Sequence, residues 1–280
     1  MRKLLITISF VIFHLTLCMA QKQLTILHSN DTHSCILPLK ATLADTTLAG
    51  RGGFLRRIAM LREERQKDPE LLYFDSGDFS QGSTYYTMFE GDVEIGLMNQ
   101  MGIDASTIGN HEFDFGLENM ARLFRKANFP IVCSNYDFAD TELKDIVKPY
   151  IIINRKGIKI GVFALCPPLE GLVAAKNYGP LRFLDPAETA SRMVSLLKKK
   201  MKCDMVICIS HLGWKTTEYP DQRFIGNTSG IDLVLGGHSH TYMQELEYVN
   251  NKDGRPVPVD QNGKHGAFIG KLLLTMDKRR

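Results

Sequence analysis

Short apolar runs alternate with amphipathic stretches along most of the chain. Residues 24–27, 71–74, 105–108, 158–165, 205–209 and 232–235 are nearly continuous apolar segments of strand length, which predicts buried strands. Residues 53–66, 93–101, 117–127 and 187–200 repeat apolar positions at helical spacing, which predicts helices between several of those strands. Strand and helix in alternation predict an α/β fold. Beyond residue 243 the pattern changes. Residues 244–249, 257–260 and 267–275 read as consecutive strands joined by the polar turns 251–254 and 261–264, and Pro258 confines the middle one to a sheet edge. No repeat or low-complexity linker divides the chain, so one domain is expected over 21–280.

The first twenty residues stand apart from that pattern. Arg2 and Lys3 precede an apolar stretch over 4–17, and Cys18-Met19-Ala20 closes it with the small-residue end of an export signal cleaved after Ala20. His14 interrupts the stretch, which falls short of the ~20 residues needed to cross a bilayer. No stable membrane span is therefore expected after cleavage, and bulky Leu17 disfavours lipid attachment at Cys18. The expected destination is a bacterial periplasm or the exterior of a cell.

With 44% hydrophobic and 23% charged residues the composition is that of a globular protein. Lys and Arg number 34 against 31 Asp and Glu, and removal of Arg2 and Lys3 leaves 32 against 31. So small an excess argues against a nucleic-acid binder. After cleavage five cysteines remain, Cys35, Cys133, Cys166, Cys203 and Cys208, and the odd number leaves at least one free thiol. They form no CxxC pair and several lie in apolar runs, so they are expected as small buried hydrophobes without metal or redox work.

Oxygen and nitrogen donors cluster just after the predicted strands. Asp31 and His33 follow the first, Asp78 the second, and Asn110 and His111 the third; His211 and the pair His238 and His240 follow later ones. In an α/β sheet the carboxyl ends of strands share one rim, where such clusters converge. Glycines beside most of them let the backbone turn sharply and approach a ligand. Carboxylate, imidazole and amide oxygen suit Zn, Mn, Fe or Co, and the lack of thiolates disfavours a structural zinc site.

The segments 26–33, 109–114 and 235–241 together resemble the catalytic domain of the 5'-nucleotidase branch of the calcineurin-like metallophosphatases, and Gly52-Gly53, 75–82 and 209–213 extend the likeness over nearly the whole mature chain. The resemblance implies a central β-sandwich flanked by helices. It also implies two divalent metal ions, one held by Asp31, His33, Asp78 and His240, the other by Asp78, Asn110, His211 and His238, with Asp78 bridging. His111 would stabilise the transition state or protonate the leaving oxygen, oriented by Asp114. The alternative for Asp114 is a helix cap. Glu112 and His28 are expected in supporting positions, and His265 receives no role. Two divalent ions against two carboxylates leave positive charge to receive an anionic phosphate.

What the resemblance implies about function is an exported phosphoesterase acting on nucleotides or other small phosphoesters, by attack of a metal-activated water. Cyclic-nucleotide diester cleavage and UDP-sugar hydrolysis are the competing reactions. Full-length relatives of this type carry a second domain that supplies the base clamp, and here the chain reaches Arg280 without residues that map onto it. A separate C-terminal specificity domain is thus an expected partner, and a metal-binding half inactive without it is the alternative. Tyr85, Tyr86 and Trp214 lie near the motifs and are expected mainly as packing residues, with a partial stacking surface as the other reading.

Overall fold

The computed structural model describes residues 22–276, so the expected export signal over 1–20 lies outside the described residues. The first third of the chain runs β1 (Lys22–Ser29), α1 (Phe54–Lys67), β2 (Leu72–Asp75), α2 (Thr84–Phe89), α3 (Asp92–Met98) and β3 (Ala105–Ser106). There follow α4 (Gly116–Phe124), β4 (Tyr136–Asp137), β5 (Tyr150–Arg155), β6 (Ile158–Leu165), α5 (Ala175–Tyr178), β7 (Arg182–Phe183) and α6 (Pro186–Val194). The last part comprises β8 (Met205–Ser210), α7 (Asp221–Gly226), β9 (Leu233–Leu235), β10 (Glu247–Asn250), β11 (Pro256–Asp260) and β12 (Gly270–Met276).

Two sheets pack face to face with helices on both outer surfaces. The first has the order β12-β1-β2-β3, the second β10-β11-β9-β8-β6-β5, and β4 pairs with β7 in a separate two-stranded ladder. Period-two alternation assigns the side chains. Ile26 and Phe74 of the first sheet meet Ile160, Val162, Ile207, Ile209 and Leu235 of the second in the central layer. Leu27 and Tyr73 point the other way, onto Phe54, Ile58 and Leu61 of α1. Phe163, Val206, Cys208 and Val234 likewise face Ala190 of α6 and Leu197. Strands buried on both faces explain why 158–165 and 205–210 are nearly continuous apolar runs, broken only by Lys159 and Ser210. The architecture is an α/β sandwich of two sheets flanked by helices.

Two polar ties join the sheets. His28 on β1 is fully buried, and its Nε2 lies 2.8 Å from Oδ2 of Asp260 on β11. Asp68, at the C-cap of α1, accepts hydrogen bonds on Oδ2 from Thr25 Oγ1 of β1 (2.8 Å) and from Nζ of Lys156 in the β5–β6 turn (2.7 Å).

Several boundaries differ from expectation. Only two residues of the predicted strand over 105–108 pair, because the chain leaves the sheet toward Asn110. The helix expected over 187–200 starts one residue earlier at Pro186, capped by Asp185 through Glu188 N (2.9 Å), and beyond Val194 continues as a wider π-helical turn over Ser195–Lys200. The tail is not a three-strand meander: β10 and β11 form a hairpin, whereas β12 crosses to the first sheet and pairs antiparallel with β1. Nor is Pro258 on an edge strand. β11 lies between β10 and β9, and its ladder with β9 begins only at Val259, so Pro258 sits where the strand has a single neighbour. Among the described residues all five cysteines are buried, as expected of small hydrophobes, and unpaired.

Candidate metal centre

The loops that leave β1, β2, β3, β8 and β9 converge at one end of the sandwich. Those after β1, β2 and β3 come from the first sheet and carry Asp31, His33, Asp78 and Asn110; those after β8 and β9 come from the second and carry His211, His238 and His240. Asp31, His33, Asp78, His238 and His240 all have left-handed backbone, with φ between 42° and 70°. Non-glycine residues reach that region at a cost on the order of 1 kcal/mol each, and such strain persists where the surrounding structure and a function fix it. Neighbouring glycines permit the crowding. A Cβ on Gly109 would collide with Asp78, and one on Gly237 would lie 2.9 Å from both His211 Nδ1 and Ser76 O.

Two donor groups emerge from this convergence. Ligand atoms of Asp31, His33 and His240 lie within 4.8 Å of one another, as do those of Asp78, His211 and His238. A third group of the same tightness, His33, Asp78 and His111, shares His33 with the first and Asp78 with the second and so links them. Polar atoms inside them are left without partners. Asn110 Oδ1, His33 Nδ1 and His211 Nε2 are buried and accept or donate no hydrogen bond. His211 Nε2 lies 3.1 Å from Asp78 Oδ2 but is not aligned to bond it. The Nε2 atoms of His33 and His240 face each other at 2.9 Å. Orphaned buried polar atoms are costly alone, and they and two imidazole nitrogens turned toward each other fit divalent cations well.

Backbone groups hold these side chains in position. His211 Nδ1 donates to Ser76 O at 2.6 Å, a bond that leaves Nε2 as the nitrogen turned toward Asp78, free for a cation once its proton is lost. Asp31 accepts from Asn30 Nδ2 (2.6 Å) and from His238 N (2.9 Å). Glu112 accepts from the backbone N–H groups of Asp78 (3.0 Å), Ser80 (3.1 Å) and Gly109 (2.6 Å), which ties the second loop to the third.

Without cations the cluster balances its own charge. Burial opposes ionisation of Asp78, but the imidazoles of His211, His33 and His111 outweigh it and hold its carboxyl below the usual range. Burial, reinforced by the charge of His211, pushes His238 down to about 4. Glu112 is lifted to about 7 by burial and by the charge of Asp78.

His111 lies beside these groups. Its Nδ1 is 3.2 Å from Asp114 Oδ2, both side chains are one-third exposed, and its ring centroid is 5.4 Å from that of His33. Asp114 does not cap α4, which begins after Phe115 and receives no side-chain cap. Tyr86 and Trp214 are buried, Tyr86 donating from its hydroxyl to His111 O at 3.1 Å, so both are packing residues. Tyr85 remains exposed and lines a cavity of about 340 Å³ with His33 and His265. His265 is the residue that sequence patterns miss. Its N–H donates to Asp31 O at 2.7 Å and its ring lies 6.0 Å from that of His33, a proximity created by a loop with no strand-end motif.

The family described as Calcineurin-like phosphoesterase matches residues 24–242. Among characterised proteins, the trifunctional nucleotide phosphoesterase YfkN of Bacillus subtilis is 31% identical over 91% of this chain and 18% of its own length. The snake venom 5'-nucleotidase of Gloydius brevicauda is 31% identical over 92% of this chain and 46% of its own. A solved structure, the 5'-nucleotidase precursor of Thermus thermophilus, superposes with a TM-score of 0.82 at 30% identity, covering 91% of this chain and 52% of that one. The chain thus spans about half the length of the 5'-nucleotidases it matches.

Proposed function

The chain belongs to the calcineurin-like phosphoesterase family, and from that premise we propose that it is an exported phosphoesterase with two metal sites, hydrolysing nucleotides or related small phosphoesters. The single observation that carries this reading is the pair of donor clusters at the strand ends, Asp31-His33-His240 and Asp78-His211-His238, linked by the closeness of Asp78 to His33. Asp31, His33, Asp78 and His240 would hold one ion; Asp78, Asn110, His211 and His238 would hold the other. Bound there, two divalent ions would supply Lewis acidity to a phosphoryl oxygen and lower the pKa of an attacking water.

The chain's own groups do the rest. Ser76 O fixes the tautomer of His211, and Glu112 fixes the loops that present Asp78 and Asn110. Asp114 accepts from Nδ1 of His111 and holds the ring charged, so that Nε2–H can donate to the developing oxyanion or the leaving oxygen. His111 is raised above its ordinary pKa: burial works against protonation, but the hydrogen bond to Asp114 and the charge of Asp78 outweigh it, which suits a donor. Export is supported by Arg2, Lys3 and the apolar run over 4–17. Nucleotides are supported by the names of the relatives, and a second domain that completes recognition is supported by their greater length.

The test is a substrate panel of nucleoside monophosphates, cyclic nucleotides, UDP-sugars and aryl phosphates on protein loaded with Zn, Mn, Fe or Co, with elemental analysis alongside. Nucleoside monophosphates should turn over fastest. Failure to cleave any phosphoester at full metal loading would overturn the reading.

A further inference from the structure

An acidic residue in the first turn of a helix ordinarily faces solvent, where it complements the helix dipole at little cost. Glu94, in the first turn of α3, is instead fully buried. Its Oε1 accepts a hydrogen bond from Ser34 Oγ, and its Oε2 has no partner among the described residues. Filling the space does not require such a group, since an apolar side chain of similar size would do so without the desolvation cost.

The bonded partner shows what the carboxyl holds. Ser34 directly follows His33, a proposed metal ligand, and both have left-handed backbone, with φ of 47° and 42°. The one hydroxyl proton of Ser34 goes to Glu94, so the 2.6 Å contact between Ser34 Oγ and Ser83 Oγ carries the proton of Ser83. Ser83 Oγ in turn accepts from the backbone N–H groups of Tyr85 (3.1 Å) and Tyr86 (3.3 Å), which caps α2. Tyr86 donates from its hydroxyl to His111 O at 3.1 Å. Each proton from the start of α2 through Ser83 and Ser34 thus points toward Glu94. The series ties the loop of His33 to the helix that carries the contact to His111.

The remaining bonds of this loop run through backbone. His33 N and Ser34 N donate to Asp78 O and Phe79 O, each at 2.9 Å, which fixes the loop against the one after β2. Only the Ser34 side chain extends the tie to α2 and α3. The fit is close, because a Cβ on Gly82 would lie 2.6 Å from His33 O.

We propose that Glu94 is a positioning residue of the reaction centre, holding His33 and His111 in register through Ser34, Ser83 and α2; the proposal rests on the two-metal reading above. Glu94 belongs to none of the donor clusters and acts through the two hydroxyls. Groups that orient metal ligands in this way typically change metal affinity or activity by about 10- to 100-fold when removed.

Calorimetric titration of the metal-free chain with Mn or Zn reads the first arm of the proposal, and turnover of p-nitrophenyl phosphate at metal saturation reads the second. Glu94→Leu removes the acceptor while filling its space. It should weaken one of two bound ions about tenfold or more, leave the other within about twofold of wild type, and lower kcat about tenfold. Glu94→Gln keeps an oxygen for Ser34 and should recover most of both losses. Ser83→Ala breaks the series at a half-buried position, decides the matter should Glu94→Leu fail to fold, and should show the same pattern. The double variant should lose little more than the worse single one, because both substitutions cut one series. A residue that only supports the core would lower the urea midpoint and leave both affinities and kcat alone. That result in either folded variant, or fully additive losses in the double variant, would overturn the positioning role. A wild-type chain that binds fewer than two ions would instead overturn the metal reading on which it rests.

Discussion

Asp78 and His111 make opposite predictions although they touch. Asp78 is the one carboxylate common to two donor clusters, so Asp78→Asn should lose activity together with bound metal. Elemental analysis checks this, and a variant that keeps both ions would end the bridging assignment. His111 belongs to a donor cluster of equal tightness, which makes it a rival ligand on distance alone. Its link to Asp78 runs through the backbone, however, His111 N donating to Asp78 Oδ1 at 2.9 Å, and that bond survives truncation of the side chain. His111→Ala should therefore retain its metals and lose about 10²- to 10⁴-fold in turnover, less for p-nitrophenyl than for alkyl phosphates if it serves as the leaving-group acid. Metal lost from His111→Ala would make it a ligand. The proposed ligands are legible in the sequence because each follows an apolar run that ends at the rim. Ser76 O is not legible, since every residue has a carbonyl and only the fold aims this one at His211. His265 escapes for a related reason: its place depends on a backbone bond to Asp31, far away in sequence.

At the scale of elements, Asp68 joins three of them, closing α1 while accepting hydrogen bonds from β1 and from the β5–β6 turn. Burial alone would raise its pKa, but Lys156 and Thr25 outweigh burial and lower it below the ordinary carboxylate value. A depressed folded-state pKa means a contribution present above the unfolded value near 3.8 and lost as the pH falls through the folded one. Asp68→Ala should thus destabilise the chain by about 1 kcal/mol at neutral pH, and the difference from wild type should shrink below pH ~4. Urea unfolding at the two pH values checks it, and a difference independent of pH would remove the ionic contribution. Elements themselves are legible where local pattern and tertiary place agree. The apolar run over 158–165 is a strand from end to end because both its faces are buried. β12 shows the converse: its alternation is local, but its choice of β1 over β11 follows from sheet packing that no local pattern encodes.

For the whole molecule, the proposed metal centre joins the two sheets at one end, as His28 and Asp68 do along their length. Asp31, His33, Asp78 and Asn110 follow strands of the first sheet, while His211, His238 and His240 follow strands of the second. Direct bonds already cross there, from His211 Nδ1 to Ser76 O and from Ser76 Oγ to Leu235 O at 3.0 Å. Each of the two proposed sites takes ligands from both sheets, so cations would bind the assembled sandwich and have no comparable site in the unfolded chain. Binding to the native state alone stabilises it by about 4 kcal/mol when the free ion exceeds its dissociation constant a thousandfold. For a domain of this size that corresponds to a rise in Tm of roughly 10 °C. Chelation should reverse the rise, and Asp78→Asn should abolish most of it while unfolding near the temperature of the metal-free wild type. Scanning calorimetry with and without Mn or Zn makes the comparison. An unchanged Tm on metal addition would mean that the two halves of the donor set are not drawn together by cations, and the dinuclear assignment would fall with it.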